Sequence, residues 1–352
     1  MPFTIVNLMF AKGKGGLEQA FVDHAEAAMR QGAQVHAIAD PACPYLTDLR
    51  ELGVNVHTLR QHGPWDIGAA MRLRQLLQQI SPHIIVGHGN RAIALTTSLP
   101  VRLLASMPCP VVGVAHNYRI KRFARLDGAL AITRDLKKLL LKKGVKEGKA
   151  HHTPNMVRLP ELDSLSNRPW QKPPIIGTMG RMVHKKGFHR FIEALEMLKA
   201  QGTPFQAHIG GEGAELDKLK AQASKAGLDG HISWLGWVEN KEEFFQNIDI
   251  FCLPSLHEPF GIVLLEAMSY GLPVVSTNSE GPREILHHGK DGLVVGPDDA
   301  RALMIALNDL LQAPEMAVKI GMHARHTVER SYAIDTVGQR LITVLRQIAG
   351  KN

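Results

Sequence analysis

The stretch from His257 to Val275 reads His-Glu-Pro-Phe-Gly-Ile-Val-Leu-Leu-Glu-Ala-Met-Ser-Tyr-Gly-Leu-Pro-Val-Val, and sets two carboxylates, Glu258 and Glu266, around the start of a helix between two strands. Upstream, the apolar run Ile248 to Leu253 has strand length and is broken by Pro254-Ser255, so Glu258 is expected in the loop leaving a strand's carboxyl end. Open α/β sheets bind ligands at that edge. From Phe260 or Gly261 to Tyr270 the apolar spacing suits a helix, with Pro259 in its first turn and Gly271 at its C-terminal cap. The backbone N–H groups of Phe260, Gly261, Ile262 and Val263 would then form an anion site, while Glu258 and Glu266 accept hydrogen bonds from hydroxyls. A sugar carrying a phosphate meets both demands. A surface helix with one glutamate favoured by the helix dipole would give the same spacing, so this stretch needs a second signal.

That signal lies at Ile175-Ile176-Gly177-Thr178-Met179-Gly180-Arg181, where an apolar strand runs into a glycine and an arginine, followed by Lys186-Gly187. Phe191, Ile192, Leu195 and Leu198 mark the inward face of the helix that comes next. Arg181 offers a planar fork for phosphate oxygens and Lys186 a compact charge, so the two could neutralise a diphosphate from two sides. Taken singly, the cluster also reads as a solvated basic loop.

Strands alternate with helices along the whole chain, the pattern of doubly wound α/β domains. In the first half, Phe3 to Met9, Val35 to Ala39, Ile84 to Val86, Val111 to Val114 and Ala129 to Ile132 read as strands, and Leu17 to Arg30 and Ile67 to Ile80 as helices. The order repeats from Ile175. The proline-rich segment Pro154 to Pro174 is expected to link residues 1–160 to residues 161–330, with residues 331–352 holding an amphipathic helix, Val337 to Ile348, that crosses back to the first domain. At 352 residues and 45% hydrophobic content the chain suits two domains, each with a sizeable core.

With these features in view, the chain resembles the retaining glycosyltransferases of family 4, the glycosyl transferases group 1, which have the two-Rossmann-domain GT-B fold. The resemblance rests on Gly15-Gly16-Leu17-Glu18, Pro154-Asn155, Gly180-Arg181 with Lys186-Gly187, Gly210-Gly211-Glu212-Gly213, Leu235-Gly236-Trp237-Val238, and the Glu258 to Glu266 run ending in Gly271-Leu272-Pro273-Val274-Val275. It implies two Rossmann-like domains facing a central cleft, the first binding the acceptor and the second the nucleotide sugar. It also implies that Arg181 and Lys186 hold the donor diphosphate, that Glu258 contacts the transferred sugar, and that Glu266 holds the ribose. The amides from Phe260 to Val263 would touch the sugar and the distal phosphate. Trp237 and Val238 would lie near the base, and Gly15 and Gly16 would let the backbone approach the sugar-phosphate. His116, after the strand Val111 to Val114, takes by the same resemblance a place near the transferred sugar; as a bare residue it reads equally as a loop histidine.

The glycine-rich stretches are not dinucleotide or P-loop fingerprints. Glu18 and Leu216 fill the place of the third glycine after Gly13-Lys14-Gly15-Gly16 and Gly211-Glu212-Gly213, and no Gly-Lys-Ser/Thr is present. Glycines such as Gly211 are read instead as points where a backbone comes close to the donor. His151-His152 and His287-His288 lack ligand spacing for zinc, so no metal is expected, nor any cofactor beyond the nucleotide sugar. Cys43, Cys109 and Cys252 are scattered among apolar or proline neighbours and read as reduced thiols.

Between Arg119 and Lys149 eleven Lys/Arg face three Asp/Glu, an excess of +8 that equals the formal charge of the whole chain. Leu136, Leu139 and Leu140 mark an inward helical face there, leaving Lys137, Lys138, Lys142 and Lys143 mostly outward. Such a stretch suits an anionic acceptor, such as a lipopolysaccharide core or lipid-linked glycan, and peripheral contact with an anionic membrane. A solvated helix would look the same. Few aromatics accompany the charge, which argues against nucleic acid. The N-terminus lacks a basic region before its apolar residues and no run reaches about 18 apolar residues, so a cytoplasmic location is expected, with room for peripheral contact at the inner face of the cytoplasmic membrane. The resulting expectation is a hexosyltransferase using UDP- or GDP-hexose with retention. A nucleotide-sugar epimerase of the same fold, a noncatalytic donor-binding subunit and a nucleic-acid-binding protein are the competing classes.

Overall fold

The computed structural model describes residues 2–63, 66–97, 107–161 and 169–351. The chain divides into two compact units, residues 1–156 with 334–352 and residues 157–333. The division falls just before the expected boundary, at the start of the proline-rich segment, of which residues 162–168 lie outside the described residues.

In the first unit the elements run β1 (Thr4–Met9), α1 (Gly16–Arg30), β2 (Gln34–Ala39), α2 (Leu46–Glu51), β3 (Asn55–Thr58), α3 (Ile67–Ile80), β4 (Ile84–His88), α4 (Gly89–Thr97), β5 (Val111–Ala115), β6 (Gly128–Ala131), α5 (Arg134–Lys142) and β7 (Ala150–His152). The strands form one seven-stranded parallel sheet in the order β3-β2-β1-β4-β5-β6-β7. Strands β1, β4, β5 and β6 are buried along their whole length, as parallel strands covered on both faces must be. Their sequences are correspondingly near-continuous apolar runs, whereas β3, at the sheet edge, has only exposed and half-buried residues, which is why it left no clear apolar signal.

The second unit repeats the plan with β8 (Ile175–Met179), α6 (Phe188–Ala200), β9 (Gln206–Gly210), α7 (Leu216–Lys225), β10 (Ile232–Gly236), α8 (Lys241–Gln246), β11 (Ile250–Leu253), α9 (Ile262–Ser269), β12 (Val274–Thr277), α10 (Pro282–Ile285), β13 (Leu293–Val295), α11 (Ala300–Gln312) and α12 (Pro314–Ser331). Its six-stranded sheet has the order β10-β9-β8-β11-β12-β13. Phe191, Ile192, Leu195 and Leu198 of α6 are all buried in its core together with Phe205, Ile209, Ile250 and Leu307.

The last helix, α13 (Ile334–Ile348), belongs to the first unit and begins three positions before the sequence pattern suggested. It packs on α1, where Gly338 lies so close to Ala27 that an added side-chain carbon would stand 3.2 Å from the Ala27 carbonyl oxygen. Arg30 reinforces this seam with an ion pair to Asp335 at 3.3 Å.

Candidate active site

In each sheet the strand order reverses direction at one place, between β1 and β4 in the first unit and between β8 and β11 in the second. Loops leaving the two strands at such a point diverge to opposite faces and open a crevice at their carboxyl ends. In the second unit those loops are the ones that carry Lys186 and Glu258.

The two loops are locked together before any side chain is considered. The N–H groups of Leu256 and His257 donate to the Lys185 carbonyl at 2.9 and 3.2 Å. Gly187 has φ 69°, and a side-chain carbon there would run into the Pro254 carbonyl, so only glycine lets the β8 loop sit on the β11 loop. Lys186 itself lies in a short 3-10 turn, His184–Lys186, just ahead of α6. Its Nζ donates to Glu258 Oε2, with both side chains largely withdrawn from solvent.

Arg181 is exposed at the end of β8 and makes no ion pair among the described residues. The Lys186 side chain runs past Gly180, the residue before Arg181, where an added side-chain carbon would stand 4.0 Å from Lys186 Cε. The Lys186 charge is therefore already engaged by a carboxylate, and the Arg181 guanidinium is open to solvent.

Around Glu258 the backbone corrects one sequence expectation. Helix α9 starts at Ile262, so Pro259 and Phe260 belong to the turn before it and not to its first turn. Gly261 caps the helix at φ 95° and wraps against the Glu258 side chain. The first bond of the helix runs from Leu264 N–H to the Gly261 carbonyl at 3.0 Å. The amides of Ile262 and Val263 thus precede the hydrogen-bonded ladder, at the positive end of the helix.

A residue not anticipated from sequence holds this loop. Glu280, after β12, accepts a hydrogen bond from the Glu258 N–H at 3.1 Å and faces His257 Nδ1 at 3.2 Å. Burial would raise the Glu280 carboxyl, but these bonds outweigh it and keep it below the usual carboxylate range. The Gly281 N–H in turn donates to the Glu258 carbonyl at 2.8 Å.

Helix α9 is buried all round except for Val263 and Glu266, with Tyr270 following on the same face. Spacings of three and four residues put these on one stripe. Glu266 Oε1 accepts from Lys241 Nζ, at the start of α8, at 2.6 Å. Burial, together with the negative charges of Glu242 and Glu266, pushes the Tyr270 phenol up to about 12, so it stays a neutral donor beside this pair.

Gly211 lies at φ 128° against the Gly180 carbonyl, and its N–H donates to the Gly236 carbonyl at 2.5 Å. The backbone that requires glycine here is that of the neighbouring loop. Val238 packs on Gly210, and Trp237 beside it is 36% exposed, enough of an aromatic face for a planar partner.

The first unit carries the remaining expected residues, Gly15 and Gly16 after β1 at its own switch point and His116 after the neighbouring β5. Gly15 precedes α1 in an extended conformation, and the Glu18 carboxylate turns back toward it, 3.2 Å from where a Gly15 side-chain carbon would be. His116 follows β5, and its Nε2 lies 3.0 Å from His88 Nδ1 at the end of β4. Burial and the neighbouring His24 pull His116 down to about 3, so its imidazole is neutral at ordinary pH. Among the described residues no group of three or more His, Cys, Asp or Glu could hold a metal ion, and no helix is long and apolar enough to cross a membrane. Cys43 and Cys252 are buried free thiols, while Cys109 is only half-buried.

Two parallel sheets with this strand order, each ending in a loop-lined crevice, define an α/β protein of the GT-B class. Residues 163–327 match the family model of the glycosyl transferases group 1, and residues 14–160 match that of glycosyltransferase family 4. The chain belongs to the group 1 glycosyltransferases of GT-B fold. It is 31% identical over 172 residues to the lipopolysaccharide core biosynthesis glycosyltransferase LpsE of Rhizobium meliloti (strain 1021), a match spanning 49% of each chain. To the lipopolysaccharide core biosynthesis mannosyltransferase LpcC of Rhizobium leguminosarum bv. viciae it is 26% identical, over 86% of this chain and 90% of that one. The crystal structure of Anabaena Alr3699/HepE in complex with UDP and glucose superposes with TM-score 0.82 at 19% identity, covering 98% of this chain and all of that one.

Proposed function

We propose that the protein is a retaining hexosyltransferase that moves a sugar from UDP- or GDP-hexose to a hydroxyl of an anionic cell-envelope glycan, such as a lipopolysaccharide core or lipid-linked acceptor. The observation that carries this reading is the Lys186–Glu258 pair at the β8/β11 switch point, beside the open first turn of α9. A diphosphate arriving there offers Lys186 a stronger partner than one carboxylate, and frees Glu258 to accept from the sugar's hydroxyls. Arg181 and the amides of Phe260, Gly261, Ile262 and Val263 take the remaining phosphate charge, and Glu266 takes the ribose.

In the reaction the bond from the anomeric carbon to the donor diphosphate breaks while the acceptor oxygen bonds to that carbon on the same face. The acceptor proton passes to a departing phosphate oxygen. Arg181, Lys186 and the α9 amides stabilise the charge that grows on the diphosphate, an effect that commonly supplies the largest part of catalysis. The two cations and the helix end meet that charge without a metal or other cofactor. His116, Gly15 and Gly16 are assigned to the donor sugar-phosphate by family resemblance, and Trp237 with Val238 to the base.

The envelope acceptor is supported by the names of the two Rhizobium relatives and by the basic stretch from Arg119 to Lys149. In that stretch Leu136 and Leu140 are buried while Lys138, Lys142 and Lys143 are exposed, leaving an outward cationic face for an anionic glycan or the inner face of the cytoplasmic membrane. Thermal-shift measurement with UDP, GDP and ADP, then with UDP-glucose and GDP-mannose, tests the donor: stabilisation by one diphosphate nucleotide and further by its sugar is expected, and indifference to all five would overturn the reading. Product analysis without acceptor separates transfer from epimerisation, since an epimerase would convert the donor unaided.

A further inference from the structure

Three histidines of the first unit, the buried His24 and His88 and the half-buried His116, form one cluster, of which the reaction described above uses only His116. His24 and His88 are 3% and 1% exposed, packed edge to face with ring centres 4.9 Å apart. Phe21 closes another side of His88 at 5.5 Å, also edge-on. His88 and His116 stack at 5.2 Å and share the Nδ1 to Nε2 contact of 3.0 Å. Burial, with the neighbouring rings, holds His88 well below the ordinary histidine value, and His24 is down to about 4. The cluster therefore contains neutral rings, each with one N–H and one bare nitrogen.

Neutrality makes the shared contact decide the tautomers. His88 Nε2 is buried without a protein partner among the described residues, between the Phe21 and His24 rings. A buried N–H with no acceptor is rarer than an unused acceptor, so the His88 proton belongs on Nδ1, where a partner exists. His88 Nδ1–H then donates to His116 Nε2, and the His116 proton must sit on Nδ1. We infer that His88 is a positioning residue which holds His116 in the Nδ1–H tautomer, so that His116 meets the donor sugar as a hydrogen-bond donor and not as a base. The second half of this inference rests on the proposed role of His116; the tautomer does not.

The test is a long-range proton–nitrogen NMR correlation on the whole protein labelled with 15N-histidine, at pH 7.5. His88 and His116 should both carry their proton on Nδ1. His88→Asn, whose amide N–H stands near the position of the imidazole Nδ1, should keep that state in His116, whereas His88→Phe should release it to Nε2–H or a mixture. Hydrolysis of UDP-glucose or GDP-mannose, whichever the protein accepts, should fall about tenfold in kcat for His88→Phe and recover in His88→Asn, the loss expected for one misplaced hydrogen bond. Should His88→Phe fail to fold, His88→Gln, which moves the amide to the Nε2 position, replaces it with the same expectation. An Nε2–H tautomer of His116 in the unaltered protein, or an unchanged tautomer in His88→Phe or His88→Gln, overturns the inference. Unimpaired turnover by His116→Ala overturns instead the role of His116 at the sugar, leaving the tautomer result standing.

Discussion

Lys186 Nζ donates to Glu258 Oε2 across 72 positions of sequence, joining the loops that leave the two central strands of the second sheet. The pair is a resting arrangement of charges that the proposed reaction uses separately, one for phosphate and one for sugar. Lys186→Met is expected to weaken UDP or GDP binding by tenfold or more, since a charged hydrogen bond is worth about 1.5–3 kcal/mol. Glu258→Gln should leave nucleotide affinity within about threefold and cut kcat by roughly a hundredfold or more, as removal of a group that acts on the reacting sugar does. Isothermal titration calorimetry and initial rates read the two separately.

Lys241 takes one oxygen of Glu266 at 2.6 Å, and the other is the one the proposed function gives to the ribose. Glu266→Ala should therefore weaken UDP or GDP by about tenfold while changing the 2′-deoxy nucleotide less, and Lys241→Ala should move the same ratio in the same direction by a smaller factor. Equal losses for ribo and deoxyribo forms, measured by competition, would remove Glu266 from the ribose.

Gly187 is held at φ 69° with the Pro254 carbonyl where a side chain would go. Gly187→Ala is expected to lower stability by about 2 kcal/mol or more, visible as a fall of several degrees in Tm. Unlike Gly187→Ala, Gly202→Ala should cost less: it has φ 72° but open space around it, so it carries the backbone strain without the collision.

Acid should weaken the first unit in a particular window. His24 titrates near 4 in the folded chain and near 6.5 when unfolded, so the unfolded state binds more protons between those values. The stability it contributes is complete above about pH 6.5 and is lost as pH falls toward 4, by up to roughly 3 kcal/mol for this ring. His24→Phe should flatten that part of the Tm-against-pH curve; an unchanged slope would mean that the ring is not kept neutral by the fold.

Much of the site was legible because its parts are local. The apolar run into Gly180-Arg181, the glycine after Lys186 and the carboxylates flanking α9 each announce a strand, a loop and a helix start within a dozen residues. The exact start of α9 was less legible: Pro259 suits a first turn, yet Gly261 takes the left-handed conformation that ends the loop two residues later. Glu280 and Lys241 carried no signal, since a glutamate beside a glycine or a lysine opening a surface helix is ordinary until the fold brings it to Glu258 or Glu266. His88 could have been found by the rule that singled out His116, a histidine at a strand's carboxyl end in the first sheet.

By itself the sequence determined the alternation of buried parallel strands and helices, and hence the central strands of both sheets though not the edge strands β3 and β7, because apolar periodicity and glycine placement are properties of neighbouring residues. Tertiary structure alone decided which charges pair, which histidine nitrogens meet and which glycines are pressed against a foreign carbonyl. Those contacts join segments tens of residues apart, and their energies depend on distance and burial, which exist only once the chain has closed on itself.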